Sequence, residues 1–337
     1  MTFADFSAPG GRTFLASLLL AVALLPSCNN SPSNDDKYTD TPTSGHVSIS
    51  VDETFAPILE SQVDTFQKLY IDSHIKASYQ PEDSVMLDLL NDKVKLAILP
   101  RDLNAEEKAE LAKQKMTPLV THVGIDGLAI ILHPSNPDSL LTVMQLRSIF
   151  SGQTTSWSQI SGQKKLGDIN VVFDANRSST LRFVRDSLLR GQTLTKRVYA
   201  ANSNPEALAY VASHPSAIGV VGANWVSDHD DPNVTSFLRS VRVAAITARP
   251  NPTKDDYIPP YPRYLAPYTP EQLKANPDLQ RYPLQRNIYV INREARTGLG
   301  SGFASFVEGQ KGQLIFYKSG LLPAKMQARI IQVPKRD

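Results

Sequence analysis

Apolar residues recur along this chain with two different spacings. Short runs rich in Val, Ile and Leu alternate with stretches in which apolar residues return every three or four positions. The first spacing is typical of strands and the second of amphipathic helices. The predicted strands are residues 46–51, 74–79, 94–99, 127–133, 169–174, 217–222, 241–247 and 287–292. The predicted helices are residues 55–70, 85–90, 302–307 and 310–318, with one more beginning at 105. This alternation predicts an α/β fold.

The segment 141–160 carries the strongest local signal. Thr142 is suited to cap a helix, and Gln145 stands three residues later, as in a capping box. The apolar stripe of this helix is formed by Val143, Leu146 and Phe150. Gly152 ends the helix, and Trp157 lies in the turn that follows. We expect Phe150 and Trp157 to pack in the core or under a lid, and stacking on an organic ligand is the alternative.

The first 45 residues differ in composition from the rest of the chain. An apolar run of about eleven residues, 15–25, has the length of a signal-peptide core and is too short to span a bilayer as a helix. It ends in Leu-Pro-Ser before Cys28, the single cysteine, as in a lipoprotein signal. We therefore predict a signal peptide at residues 1–27 and a lipid on Cys28, with an ordinary buried thiol as the alternative. Residues 28–45 are almost free of apolar side chains and are predicted to form a flexible tether.

Composition and charge narrow the possible functions. At 337 residues the chain is long enough for two domains, and its 41% hydrophobic and 20% charged content suits a folded protein. Its 35 basic and 33 acidic residues give a net charge of +2, so no overall field attracts nucleic acid. Nine prolines and five tyrosines lie within residues 249–283, which favours an ordered surface loop. A flexible linker to a separate domain is the alternative for this segment.

Small polar or charged residues stand where predicted strands give way to helices. They are Thr54, Ser84, the turn at 101–104, and Ser178, Ser179 and Thr180. Helix starts expose unpaired N–H groups, so several such junctions around one cleft would form an anion site. Each junction alone is equally explained by helix capping. Their joint occurrence at strand ends is what favours a binding site.

Several segments resemble the phosphate-type substrate-binding proteins of ABC transporters. They are 141–160 (LT..QL..IF.G....W), 54–57, 79–84, 99–103, 126–129, 134–137, 176–180, 217–219 and 309–323. The resemblance implies a two-lobed periplasmic-binding-protein fold of type II, in which two α/β domains are joined by crossover strands and enclose the ligand. Lobe 1 would comprise residues 46–128 and 243–337, and lobe 2 would comprise residues 129–242.

The resemblance also implies which side chains bind the ligand. They would be Thr54, Phe55, Ser84, Arg101, Asp102, Arg177, Ser178, Ser179 and Thr180. The hydroxyl groups would donate hydrogen bonds, and Arg101, Arg177 or Arg182 would add a charge-assisted contact. Asp102 would accept the proton of hydrogen phosphate, which sulfate lacks.

The function that the resemblance implies is capture of a solute without chemical conversion. The chain would be an extracytoplasmic lipoprotein, held by its lipid on the periplasmic or cell-surface side of a membrane. It would bind inorganic phosphate or a similar oxyanion by lobe closure and deliver it to the permease of an ABC importer. We expect a monomer that is not an enzyme, binds no nucleic acid and uses no cofactor. No metal is expected either, because the six histidines lack the spacing of a metal site.

Two departures from the family pattern leave the ligand open. Asp174 stands where the resemblance predicts an arginine, and Asp52 and Glu53 stand where small residues are common. Carboxylates beside an oxyanion weaken its binding, so another oxyanion or a small polar solute is the alternative if these side chains enter the cleft. A surface-anchored hydrolase with Ser178 as its nucleophile is a second alternative, although no G-x-S-x-G turn surrounds this serine.

Overall fold

The computed structural model describes residues 40–162, 164–227, 232–276 and 279–325. The predicted signal peptide, Cys28 and the first part of the predicted tether lie outside the described residues. The strands are β1 (Gly45–Asp52), β2 (Ser73–Gln80), β3 (Leu96–Leu99), β4 (Leu119–Leu132), β5 (Leu140–Thr142), β6 (Asn170–Phe173), β7 (Val198–Ala200), β8 (Ala217–Gly222), β9 (Arg242–Val243), β10 (Ala245–Thr247), β11 (Gln285–Asn292) and β12 (Leu322–Pro323).

The helices are α1 (Ala56–Leu69), α2 (Glu82–Leu90), α3 (Ala105–Lys113), α4 (Val143–Phe150), α5 (Ser158–Ser161), α6 (Ser179–Phe183), α7 (Asn204–Ser213), α8 (Pro232–Ser240), α9 (Pro270–Ala275), α10 (Leu299–Glu308) and α11 (Gln310–Lys318). A π-helix, Val184–Leu189, directly follows α6. Short 3-10 turns span Glu53–Phe55, Lys164–Leu166, Ala223–Trp225, Lys254–Asp256 and Pro262–Tyr264. Across these described segments, no helix has both the length and the hydropathy needed to cross a membrane.

One large sheet runs through most of the described chain. Its strand order is β2-β1-β3-β11-β4-β8-β6-β7, with β12 and β9 also paired to β4. β1 is parallel to β2 and β3, and β6 is parallel to β7 and β8, as strands joined by helical crossovers must be. β11 and β8 run antiparallel to β4 on its two sides. A separate parallel pair joins β5 and β10.

The 14-residue strand β4 belongs to both halves of this sheet. Residues 119–127 pair with β11, whereas residues 128–132 pair with β8. Every residue from 123 to 132 is buried, so the strand passes through the interior where the two halves meet. The protein therefore has two α/β lobes that share a continuous strand, and the predicted two-lobed fold is confirmed.

Helices α1, α10 and α11 cover one face of the lobe 1 strands. The buried side chains of α1 are Ala56, Ile58, Leu59, Gln62, Val63 and Phe66. Most of them recur every three or four positions, as the stripe of a core-facing helix requires. The ring of Phe66 meets that of Phe303 on α10 edge to face, with 5.4 Å between centroids. This aromatic contact joins the N-terminal and C-terminal parts of the described chain in one core.

The chain joins lobe 1 earlier than the predicted start at His46. Asp40 Oδ2 accepts a hydrogen bond from the backbone N–H of Leu299 at 3.0 Å. Pro42 lies so close to α10 that a Cβ placed on Gly302 would come within 1.8 Å of the Pro42 carbonyl oxygen. The last residues of the segment predicted as a tether therefore pack on the fold.

The core of lobe 2 contains the helix and the indole that the sequence singled out. The capping box of α4 is present, with Thr142 Oγ1 accepting from the Gln145 N–H at 3.0 Å. Gly152 follows with a φ of 77°, a conformation that glycine adopts without strain. Trp157 is fully buried and donates its indole N–H to the Ser216 carbonyl at 2.9 Å. The prediction that Trp157 packs in the core is confirmed.

Lobe 2 extends further along the chain than the predicted boundary at 242. The core that contains Trp157 also includes Ala244, Ile246, Ile258, Leu265, Tyr282 and Leu284. The hydroxyl of Tyr282 donates to the Leu128 carbonyl at 2.7 Å. These buried side chains pack the proline- and tyrosine-rich segment on the lobe 2 core, whereas the predicted boundary placed residues 243–284 in lobe 1. The chain returns to lobe 1 through β11.

Candidate functional site

Two strand-to-helix junctions, one from each lobe, meet in the interior. In lobe 1, β1 ends at Asp52 and a 3-10 turn carries Thr54 to the start of α1. In lobe 2, β6 ends at Phe173, and Ser178 caps α6, whose first residue is Ser179. The hydroxyl oxygens of Thr54 and Ser179 lie 3.1 Å apart, and both residues are fully buried. Two of the predicted junctions therefore face each other between the lobes.

A buried arginine joins these junctions to β4. Arg286 on β11 stands directly opposite Asp126 on β4, and its Nε donates to Asp126 Oδ2 at 2.9 Å. Its Nη1 donates to the Ser179 hydroxyl at 2.8 Å, and its guanidinium carbon lies 5.0 Å from the centre of the Phe55 ring. Arg286 is 6% exposed, so its charge is largely removed from water and needs polar partners.

Three acidic side chains share the interior with Arg286. Asp52, Asp126 and Asp174 are each at most 1% exposed. Asp52 Oδ1 accepts from the N–H of Thr54 at 2.9 Å and from its hydroxyl. Asp174 Oδ1 accepts from the hydroxyl of Thr180. Within the described ranges, no three acidic, histidine or cysteine side chains are arranged to hold a metal ion.

Burial raises the pKa of all three carboxyl groups, because an ionised carboxylate loses its hydration there. The pKa of Asp52 rises to about 6, although the nearby charge of Arg286 opposes the rise. The pKa of Asp126 rises against the same arginine charge, and that of Asp174 rises against its hydrogen bonds. At a pH between about 4 and about 6, Asp52 therefore holds a proton that an exposed aspartate has lost.

Further hydrogen bonds cross between the lobes at the turn that carries Thr54. Glu53 Oε1 accepts from the backbone N–H of Asn204 at 3.0 Å, and burial raises the pKa of Glu53 to about 7. Within lobe 2, Asn204 Nδ2 also donates to Asp174 Oδ2 at 3.4 Å. The indole N–H of Trp225 donates to the Thr54 carbonyl at 3.0 Å. Groups from lobe 2 thus hold both the backbone and the side chains of this lobe 1 turn.

We call these residues the interlobe cluster: Asp52, Glu53, Thr54, Phe55, Asp126, Asp174, Ser178, Ser179, Thr180, Asn204, Asn224 and Arg286. Asn224 belongs to the cluster because Gly222 packs closely against both Asn224 and Thr54. A Cβ built on Gly222 would lie 2.8 Å from Asn224 Oδ1 and 2.5 Å from Thr54 Cγ2. Five buried atoms of the cluster have no hydrogen-bond partner among the described residues, namely Asp52 Oδ2, Asp126 Oδ1, Asn204 Oδ1, and Asn224 Oδ1 and Nδ2. Buried polar groups are nearly always hydrogen-bonded, so these atoms indicate a site for a small polar ligand.

A buried glutamate links the lobes beside the cluster. Glu82 at the start of α2 is 1% exposed at its side chain, and its Oε2 lies 2.9 Å from Arg182 Nε in lobe 2. Its Oε1 pairs with Arg101. Arg101 also donates two parallel hydrogen bonds to Glu107, each 2.7 Å long. Both arginines therefore have carboxylate partners already, and neither is directed to the cluster by these contacts.

The structure brings together five of the nine predicted ligand residues. Those in the interlobe cluster are Thr54, Phe55, Ser178, Ser179 and Thr180; those elsewhere are Ser84, Arg101, Asp102 and Arg177. Asp102 is at the surface, where its carboxylate lies 3.0 Å from Lys108 Nζ. Arg177 is exposed, and Ser84 is half-buried in the first turn of α2, where its N–H donates to the Pro81 carbonyl at 2.9 Å. The geometry therefore gives no support to the proton-accepting role suggested for Asp102.

Four polar residues of the cluster were not predicted from the sequence: Asp126, Asn204, Asn224 and Arg286. Arg286 had a detectable signal, because it alternates with Ile288 and Val290 and so shares the buried face of β11. A charged residue at such a position indicates a buried partner or a ligand. Asp126 lies in a segment that carried the family resemblance, but its pairing with Arg286 depends on strand register.

Comparisons with known proteins agree with this architecture. A sequence profile of the PBP superfamily domain matches residues 36–310. The phosphate-binding protein PstS of Borreliella burgdorferi is 23% identical over 324 residues, which cover 93% of this chain and 99% of that protein. The phosphate-binding protein PstS of Pseudomonas aeruginosa is 23% identical over 304 residues, 86% of this chain and 87% of that protein.

A solved structure has the same fold. It is a phosphate ABC transporter substrate-binding protein from Clostridium perfringens with bound phosphate, aligned with a TM-score of 0.64 and 22% identity. The alignment covers 83% of this chain and 100% of that one. At this level of identity the match shows the fold alone.

Proposed function

Because the chain belongs to the PBP superfamily, we propose that it is an extracytoplasmic solute-binding protein that captures inorganic phosphate for an ABC importer. The relatives named as phosphate-binding proteins support this ligand, and the chain spans most of their length. The observation that carries the proposal is the interlobe cluster, in which the hydroxyls of Thr54 and Ser179 meet the guanidinium of Arg286. Hydroxyl and guanidinium donors are the groups that bind oxyanions.

We assign to Asp52 the role that the resemblance suggested for Asp102. Asp52 Oδ2 is buried in the cluster and has no hydrogen-bond partner in the described part of the chain. An ionised carboxylate accepts the proton of hydrogen phosphate, whereas it repels sulfate, which has no proton to give. A protonated Asp52 would instead donate to either anion. Discrimination against sulfate should therefore depend on whether Asp52 is ionised.

The acidic side chains of the cluster favour a small polar solute as the second candidate ligand. Asp52, Asp126 and Asp174 offer up to three negative charges beside Arg286, which disfavours a dianion. Their raised pKa values reduce this penalty, and the family relationship favours phosphate. A hydrolase has less support, because Ser178 Oγ lies 2.8 Å from a threonine hydroxyl and, within the described chain, has no imidazole partner.

Calorimetric titration with phosphate, sulfate and molybdate, at about pH 5 and about pH 8, tests the ligand on either side of the raised pKa values of Asp52 and Glu53. We expect binding of phosphate at both pH values and binding of sulfate at the lower one. No heat with any of the three anions at either pH would contradict the proposal. In that case neutral polar solutes become the next ligands to titrate.

Replacement of Arg286 by Gln tests the site itself. It removes a charge-assisted donor, so phosphate affinity should fall at least about tenfold in the same titration. Because Asp126 then loses its partner, the Arg286→Gln/Asp126→Asn double variant keeps the buried charge balanced and should show the same loss. Arg177→Gln is the matched control, since Arg177 is exposed in the loop before Ser178. Wild-type affinity in the double variant would exclude Arg286 from the site.

Lobe closure over the ligand is part of the proposal. Polar contacts cross between the lobes at Glu82 and Arg182, at Glu53 and Asn204, and at the Thr54 carbonyl. Separation of the lobes would break these contacts while β4 remained continuous. The contacts are short-range and polar, so we expect them to form and break during ligand exchange.

The anchor and the location are proposed from the sequence. A lipid on Cys28 would hold a monomer at the periplasmic or cell-surface side of the membrane, where a permease could receive the ligand. The mass of the mature protein tests the anchor, because acylation and cleavage before Cys28 change it in a defined way. A Cys28→Ser variant should lack the lipid and leave the membrane fraction.

A further inference from the structure

A pocket of about 290 Å³ lies on lobe 2 and is separate from the interlobe cluster. It is bounded by α4, the π-helix Val184–Leu189 and the chain segment that leads into β11. Three arginines line it: Arg147, Arg190 and Arg281. Its lining contains no acidic residue among those that the structure describes.

The three arginines have hydrogen-bonding capacity left for a ligand. Arg147 Nε donates to the Leu188 carbonyl at 2.8 Å, and Arg190 Nε donates to the carbonyl of the neighbouring Ser187 at 3.3 Å. Arg281 Nη1 donates to the Tyr268 carbonyl at 3.0 Å. These contacts use one N–H group from each guanidinium, which has five. No carboxylate in the described ranges lies within ion-pair distance of any of the three.

The rest of the pocket wall is largely apolar. It includes Phe183, Leu188, Pro283 and Leu284. Phe183 and Pro283 are half-buried, so part of each side chain faces the pocket and its opening. Small-molecule sites combine this kind of apolar wall with a few convergent polar groups, and a volume near 300 Å³ is at the small end of their range.

The backbone around the pocket departs from regular structure. The π-helix supplies Ser187 and Leu188, and it ends at Arg190, whose φ of 49° places it in the left-handed region. Such turns are uncommon inside helices and occur frequently at functional sites. Here the left-handed residue is itself one of the three pocket arginines.

We propose that this pocket binds a small organic anion with an apolar body, such as a medium-chain carboxylate. The carboxylate would be held by the arginines, and the chain would lie against Phe183 and Leu284. A cation is disfavoured by the three like charges, and an inorganic anion would leave the apolar wall exposed to water. The site and its ligand are independent of the phosphate proposal, because the pocket shares no residue with the interlobe cluster.

Calorimetric titration of the whole protein with octanoate tests the proposal, with octanol and octylammonium as neutral and cationic probes of the same chain length. We expect octanoate to bind at least tenfold more tightly than either. The Arg190→Gln/Arg281→Gln double variant should weaken octanoate binding at least tenfold. Both side chains are exposed, so the fold should tolerate these changes.

The matched control is the Arg185→Gln/Arg239→Gln double variant, which removes the same charge from exposed positions outside the pocket. It should bind octanoate like the wild type. Titration of phosphate into both double variants should give wild-type affinity, which separates this pocket from the cleft. The proposal is overturned if octanoate does not bind, if octanol or octylammonium binds as well, or if both double variants lose octanoate equally.

Discussion

Single residues set the charge of the cleft between the lobes. Arg286 neutralises Asp126, with which it pairs directly, and this leaves Asp52 and Asp174 to be balanced by protons or by a ligand. A raised carboxyl pKa means that the folded protein holds a proton which the unfolded chain has released. The ordinary pKa of an aspartate is 3.8, and that of Asp52 in the folded protein is about 6. As pH rises through this range, Asp52 therefore makes the free energy of folding progressively less favourable.

The Asp52→Asn variant should test this linkage. Above about pH 6 it should be more stable than the wild type by up to about 3 kcal/mol, because it removes a buried charge, and below about pH 4 the two should be equal. Chemical unfolding across this pH range measures the difference. The same variant should bind sulfate as well at high pH as at low pH. Asp102→Asn, at an exposed position, is the control, and an identical pH profile for both variants would remove the role of Asp52.

The residues of the site differed in how well the sequence revealed them. Thr54, Ser178 and Ser179 could be predicted as members of the cluster because capping residues at strand ends have a local signal. The role predicted for Asp102 followed from sequence position alone, which does not show that its carboxylate faces Lys108 at the surface. The pairing of Arg286 with Asp126 depends on the register of β11 against β4, which is set by the whole sheet.

At the scale of elements, β8 brings two tightly packed glycines to different environments. Gly222 faces the turn that carries Thr54, where a Cβ would come within 2.5 Å of Thr54 Cγ2. Gly219 faces the lobe 2 core, where a Cβ would come within 2.7 Å of Ile131. The strand can therefore approach the site closely only because position 222 has no side chain.

Gly222→Ala should displace Thr54 and weaken phosphate binding, with a loss of stability of about 1–3 kcal/mol from overpacking. Gly219→Ala should lose a similar amount of stability and keep the affinity, because its contacts lie in the core. Calorimetric titration and thermal unfolding of both variants measure the two effects. Equal affinities in the two variants would show that Gly222 does not position the site.

Helices and strands with their own periodic pattern of apolar residues or their own cap were predicted from the sequence. Strands that depend on pairing with distant strands were not. β8 and α11 have the predicted bounds, and α4 has its predicted cap. The first half of β4 was missed, because Leu119 is exposed and residues 120–122 are only partly buried and include polar side chains. Short strands such as β7 and β12 exist only through their pairing with β6 and β4.

At the scale of the whole molecule, Glu82 connects the lobes through Arg182 and also holds Arg101 within lobe 1. Breaking a buried ion pair by removing one charge is strongly destabilising for the contact, because the partner remains desolvated. The bridge should therefore favour the arrangement in which the lobes touch. A protein whose binding-competent arrangement is less populated shows a proportionally weaker affinity.

Glu82→Gln should shift the protein toward separated lobes. We expect a larger radius of gyration in solution scattering without ligand, and phosphate affinity reduced by roughly threefold to tenfold. Saturating phosphate should restore the smaller radius. Asp186→Asn, which removes the more exposed partner of Arg182, is the control and should change neither quantity. An unchanged radius in Glu82→Gln would argue against a role for the bridge in closure.

The extent of lobe 2 shows what the sequence could not predict at this scale. The predicted boundary near 242 followed the family resemblance, yet Tyr282 and Leu284 are buried with the lobe 2 core. The proline- and tyrosine-rich segment has no periodic pattern of apolar residues that would reveal which lobe it covers. Its place depends on a few buried anchors, such as the hydrogen bond from Tyr282 to Leu128.

Strand β4 constrains how the two halves can move. Because it is hydrogen-bonded to β11 along one half and to β8 along the other, no loose joint separates the halves along this strand. Relative rotation of the two halves must then be distributed as small changes in backbone dihedral angles over several residues of β4, and these changes store elastic energy. Rotation about this axis should be small and self-reversing, and under the proposed lobe closure its stiffness should set how quickly the cleft reopens to release the ligand.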